Sequence, residues 1–168
     1  SIMFVGDLHL DGYDFDRDLF EVDMERARER GAKLILMGDL WSNLMVGDLK
    51  RYTAGRDKIG KDASINVRLR MAYELLLPYV DMIEVSLLGN HETEVLKRHG
   101  QDMLALLLDR LNEKKTEGLF PDKRIQHGGY RSFLRFQFND GNGHTAGCSI
   151  FLHHGAGGGA PVTKAMMD

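Results

Sequence analysis

The sequence predicts a layered α/β fold with a central mixed β-sheet flanked by helices. Three observations lead there. Short aliphatic, β-branched runs recur at 2–5, 33–37 and 82–88, each ending on a glycine, as buried strands do. Longer stretches between them carry apolar residues at helical spacing. After Pro121 the texture changes to strand-like runs around the glycine-rich turn 139–143, which reads as antiparallel strands. That order gathers any ligands at the C-terminal edge of the strands.

A first strand covers 2–6, and Asp11-Gly12-Tyr13-Asp14 forms a loop. Asp16 caps a helix over 17–30 with Leu19, Phe20, Met24 and Ala27 inward, because a side-chain oxygen can accept from the first free N–H groups. Gly31 closes it. The second strand is 33–37, and 44–62 reads as loop with a short helix. Ser64 caps a helix over 65–77 carrying Val67, Met71, Leu75 and Leu76, with Pro78 near its end. The third strand is 82–88. Residues 92–98 form a short helical turn, and 101–115 an amphipathic helix with Met103, Leu104, Leu107, Leu108 and Leu111 inward. Ile125, 133–138 and 147–152 complete the strands.

At 168 residues the chain fits one domain, 1–168, with enough length for a real core. Apolar content of 43% with 28% charged residues suits a globular chain. A formal charge of -3 gives no general basic footprint. Nucleic acid remains a candidate partner, since bound metals add positive charge that the count omits. The single Cys148 excludes an internal disulfide framework and fits a reducing, cytoplasmic setting. No apolar run approaches the roughly 20 residues of a membrane span, so no membrane partner is expected. The first strand begins almost at Ser1, and a preceding segment is expected. Oligomeric state is not readable.

Each strand delivers polar side chains from its end. Asp7 and His9 follow the first, Asp39 the second, Asn90, His91 and Glu92 the third, and His153 and His154 the last. If the chain stays extended, Asp7 and His9 project to one side. A carboxylate and an imidazole converging on a point form a half-site for Zn, Mn or Fe. Asp39 could bridge two ions through its two oxygens, with Asn90 and a late histidine completing the second. Such a pair, roughly 3.5–4 Å apart, can activate water and clamp a phosphate. His91 suits a proton donor to the leaving group.

The set Gly6-Asp7-x-His9, Gly38-Asp39, Gly89-Asn90-His91-Glu92 and His153-His154-Gly155 resembles the calcineurin-like metallophosphoesterase superfamily in order and spacing across 2–155. The resemblance implies a metallophosphoesterase-like fold and a phosphate-ester substrate hydrolysed with two divalent ions. It implies that Asp7 and His9 hold the first metal, Asp39 bridges, Asn90 and the late histidine hold the second, and His91 is catalytic. The family's late motif, His then a variable residue then Gly, Pro or Asn, favours His153 as the ligand, with His154 second. Family members end on Gly-His-x-His, which this sequence lacks. Gly143-His144-Thr145-Ala146 is only a partial look-alike and precedes the late motif. The chain is therefore expected to continue beyond Asp168.

Plainer roles compete at several positions. Asp7 and Asp39, taken singly, read as turn or cap residues. Glu92 reads as a helix-start carboxylate. Trp41 and Asn43 could touch substrate, or Trp41 could cover a helix end. His99, His127 and His144 read as surface or turn residues. Lys50, Arg51, Arg56, Lys58, Lys61, Arg68 and Arg70 alternate with aspartates and read as a solvated face, with nucleic acid as the alternative. The leading expectation is a metal-dependent phosphodiesterase or nuclease. A nucleotide or protein phosphomonoesterase is the alternative, and a non-catalytic binding module on the same fold is the competing class.

Overall fold

The computed structural model describes residues 1–42, 64–139 and 141–155. Asn43, the 44–62 stretch, Lys50, Arg51, Arg56, Lys58 and Lys61 lie outside the described residues, as does Asp140 of the glycine-rich turn.

The elements are β1 (Ile2–Val5), α1 (Arg17–Glu29), β2 (Lys33–Leu36), α2 (Ile65–Leu76), β3 (Ile83–Ser86), α3 (Asn90–His99), α4 (Met103–Asn112), β4 (Gln126–His127), β5 (Arg131–Asn139) and β6 (Thr145–His153). A 3-10 turn at Leu77–Tyr79 carries Pro78. The caps form where side-chain chemistry asked for them. Asp16 accepts from Leu19 N at 2.9 Å, Ser64 from Val67 N at 3.4 Å and Asp102 from Ala105 N at 2.9 Å. Such a cap contributes about 1 kcal/mol. Gly31 and Gly100 take positive φ beyond the ends of α1 and α3, a conformation that costs glycine nothing.

β1 to β4 pair in sequential order, all parallel. β5 and β6 pair antiparallel as a separate two-stranded sheet. The expected mixed sheet is thus resolved into one parallel sheet and one hairpin. The Ile125 region, expected antiparallel, instead leads into β4, where Val85 faces Gln126 and Ser86 faces His127 in parallel. The α3–α4 crossover accounts for that, because it returns the chain to the starting edge of the sheet.

Strand order and handedness together set the layers. Right-handed crossovers that always advance in one direction put every helix on the same face. Phe20, Met24, Leu69, Leu76, Leu104, Leu107 and Leu111 accordingly pack with Leu34, Leu36 and Ile83 in one core. The other face carries Ile35, Val85 and Leu87, covered by Leu134, Phe136, Ile150 and Leu152 of the hairpin. A bulge lets β3 serve both. Leu34 pairs with Ile83 but Ile35 with Val85, and the extra Glu84 switches the facing of the residues after it. Glu84 is buried with Lys33 Nζ at 3.2 Å and Lys115 Nζ at 3.7 Å.

Two expectations about packing change. Leu19, expected inward, is 56% exposed. Phe20, Met24 and Ala27 share one stripe of α1, whereas Leu19 sits about 100° away on the stripe of Asp23 and Arg26. In α2, Val67 and Met71 are only half-buried, and Arg68, Leu69 and Ala72 fill the interior with Leu75 and Leu76. In α4 all five expected residues are buried.

Urea unfolding checks the α1 assignment. Met24→Ala, at a site 1% exposed, should cost about 2–5 kcal/mol. Leu19→Ala should cost under about 1 kcal/mol. Equal losses would restore Leu19 to the core.

Candidate metal centre

The loops after β1 and β2 run on together past the ends of the strands. Asp7 N donates to Gly38 O at 3.1 Å, His9 N to Asp39 O at 3.1 Å and Leu10 N to Leu40 O at 2.8 Å. Buried Leu10, Leu40 and Trp41 anchor the pair. Within this ribbon three non-glycine residues take left-handed backbone: Asp7 at φ 54°, His9 at φ 46° and Asp39 at φ 50°. Each costs on the order of 1–3 kcal/mol, so the surrounding structure must impose it. The chain is therefore not extended at 7–9, and Asp7 and His9 join different clusters.

The loop after β3 closes on Asp39. A Cβ on Gly89 would collide with Asp39 Oδ1, and one on Gly38 with Gly89 N. Glycine at both motif positions is thus a condition of backbone approach. Across that approach His91 N donates to Asp39 Oδ1 at 2.9 Å. Glu92, 1% exposed, accepts from Gly89 N at 2.9 Å, Asp39 N at 3.0 Å and Trp41 N at 3.3 Å. It is the helix-start carboxylate expected, and it also ties the β2 loop to the β3 loop. Burial foremost, then the Asp39 charge, push its carboxyl up to about 7, against the pull of the backbone donors.

Among the described residues two three-residue clusters result, His9–Asp39–His91 and Asp7–Asp39–His154, each with candidate ligand atoms within 4.8 Å of one another. Asp39 belongs to both. The His9 and His91 rings meet edge to face at 5.1 Å, and His91 Nε2 lies 3.9 Å from Asp39 Oδ2. His9 Nδ1 is engaged by Ser42 Oγ at 3.2 Å, which leaves Nε2 for a ligand. His154 donates through Nδ1 to Met37 O at 2.8 Å, the second partner that fixes a metal-ligating ring. Its Nε2 then faces Asn90 Oδ1 at 3.0 Å and Asp39 Oδ2 at 3.1 Å. With the amide so oriented, three lone-pair groups converge. A second ring proton or a cation satisfies them, and the Asp7 carboxylate in the same cluster favours a divalent cation. By donor chemistry each cluster could hold a metal ion.

The expected residues are therefore brought together, with one exchange. His153, the favoured late histidine, stays in β6 opposite Arg131. It accepts from Gly155 N at 3.0 Å and packs on Tyr130. His154, one residue past the strand, turns the other way into the cluster.

Trp41 is structural. It is fully buried and donates from Nε1 to Arg68 O at 3.0 Å. Arg68 does not lie on a solvated face. It is fully buried with its Nε 2.7 Å from Asp11 Oδ2, while Asp11 Oδ1 accepts from Ser42 N at 2.5 Å. Sequence reasoning passed over Asp11 and the tying role of Glu92. The spacing Gly89-x-x-Glu92 was a usable signal, since a carboxylate three residues into a helix reaches back to its start. Asp11 offered none. His127 pairs with Asp102 Oδ2 at 3.2 Å, away from the centre.

The chain finds no match among protein-family models, curated proteins or solved structures.

The raised Glu92 carboxyl sets a pH dependence in chelated protein. Between its ordinary 4.5 and about 7, the folded state holds a proton that the unfolded chain has released. The contribution of Glu92 to stability is then full below about 4.5 and falls as pH rises through about 7. Glu92→Gln should remove that fall, up to about 3 kcal/mol between pH 4.5 and 7.5, in urea titrations. Identical pH profiles for the two proteins would refute the assignment. Glu92→Ala should cost more than Gln at every pH, because three N–H groups lose their acceptor.

Proposed function

We propose that this chain is a dinuclear-metal phosphoesterase of the calcineurin-like metallophosphoesterase type, acting on phosphodiesters. The observation that carries the reading is Asp39, shared between two clusters, each with a histidine whose Nδ1 is already engaged. Asp7, Asp39 and His154 would hold one ion with Asn90 beside them, and His9 and Asp39 the other. Two divalent ions, Mn, Zn or Fe, would supply a Lewis acid and a nucleophilic water near neutral pH. The remaining work belongs to the chain. Asp39 turns Oδ2 toward His154 and His91, while its Oδ1 is held by the His91 N–H. His91, partly exposed at the rim, gives a proton from its ring to the departing oxygen.

A specific observation supports a second role for His91, since its ring nitrogen also lies in the His9–Asp39 cluster. Elemental analysis beside steady-state rates separates the two. Asp39→Asn should lose metal and rate together. His91→Ala should keep its metal and lose roughly 10²–10⁴ in kcat. Metal loss in His91→Ala would make it a ligand. Full metal content in Asp39→Asn would remove the shared carboxylate and with it the dinuclear reading.

The charge inventory supports a diester. Described motif residues 6–13, 38–42, 89–93 and 153–155 include no Arg or Lys, and the nearby Arg68 guanidinium is engaged by Asp11. A monoester dianion usually calls for such a cation at the phosphate, whereas a diester monoanion can be met by two metals alone. With Mn present, kcat/KM for an aryl phosphodiester should exceed that for the matching monoester. A clear monoester preference would move the protein to the phosphatase reading.

A further inference from the structure

We propose that the outer face of the β5–β6 hairpin is a platform for single-stranded nucleic acid, leading a strand toward the metal centre. The idea deepens the phosphodiesterase reading and rests on it for the chemistry, whereas the binding can be measured alone. The register defines the face: Arg131 opposite His153, Phe133 opposite Phe151, Arg135 opposite Ser149, Gln137 opposite Gly147 and Asn139 opposite Thr145. Residues two apart on a strand share a side, and the alternate set, with Leu134 and Leu152, covers the parallel sheet.

Aromatic rings mark this face. Phe133 is 76% exposed and Phe151 53%, with centroids 4.7 Å apart. From Phe151 the rings continue toward the centre. His153 lies parallel at 6.1 Å, Tyr130 meets His153 edge-on at 5.3 Å, and Tyr130 lies 6.1 Å from His154 of the Asp7–Asp39 cluster. Charge complements the rings. Arg131 and Arg135 are exposed, and none of the ten face positions is a carboxylate, although the chain as a whole carries -3. Exposed rings with guanidinium groups beside them suit unstacked bases on a phosphate backbone. A duplex keeps its bases stacked on one another and offers no free base face to the rings.

Fluorescence anisotropy with a labelled dT12 strand, the full chain and a chelator reads binding without turnover. The wild type should bind, less tightly as salt rises, and bind a duplex of equal length more weakly. Phe133→Ala with Phe151→Ala should weaken dT12 binding about tenfold or more. Arg135→Ala should reduce the slope of log K against log salt by about 0.7, and Phe133→Trp should retain affinity. Manganese uptake should be unchanged in all three. Loss of metal uptake in the wild type would sink the metal centre but not the platform. No binding of dT12, or equal binding by the double alanine and arginine variants, would overturn the platform. So would a wild-type dimer in sedimentation that these substitutions dissociate, because the face would then join two copies of the chain.

Discussion

Glu92 is the tie on which the geometry of the centre depends. Its carboxylate takes up N–H groups from Gly89, Asp39 and Trp41, three donors on two loops that ordinary strand pairing leaves without acceptors. Unmet, each buried donor would cost about 1–3 kcal/mol. Met by one residue, they bring the β2 loop against the start of α3 and fix where Asp39 points. Burying a carboxylate beside another has its own penalty, visible in its raised protonation point. The site thus trades stability for position.

The same trade recurs in the backbone. Left-handed conformations at Asp7, His9 and Asp39 are unfavourable for each residue alone. They persist because the paired loops and the buried Leu10, Leu40 and Trp41 leave no alternative course. Asp11 and Arg68, buried against each other below that ribbon, bind it to α2. Replacing either residue would break this buried pair. Divalent cations at the carboxylate clusters would offset part of the strain by giving the converging lone pairs a common partner.

Much of this was legible in the residues, for identifiable reasons. Strands ending on glycine and then Asp, Asn or His pointed to one edge where these side chains gather, and the capping side chains Asp16 and Ser64 located two helices. Failures came where local pattern yields to tertiary geometry. Leu19 is as apolar as Phe20, and only the rotation of α1 against the sheet decides between them. The positions of Asp7 and His9 were inferred from an extended chain, and Asp and His signal left-handed backbone only weakly, far less than glycine does. His153 and His154 differ by one residue, and the last bond of the β6 ladder decides which faces inward. Arg68 read as one cation of a mixed run, because its partner Asp11 lies 57 residues away.

Gly38 and Gly89 approach so closely that a methyl group at either site would occupy the space of the other loop. The two motif segments, fifty-one residues apart by number, therefore act as a single steric locus. In a mutational library, side chains added at one of them could not be accommodated by shrinking the other, since both already have none. Variation would have to move the backbones apart. That movement would carry Asp39 away from His91, so changes of volume here read out as changes of spacing within the His9–Asp39–His91 cluster.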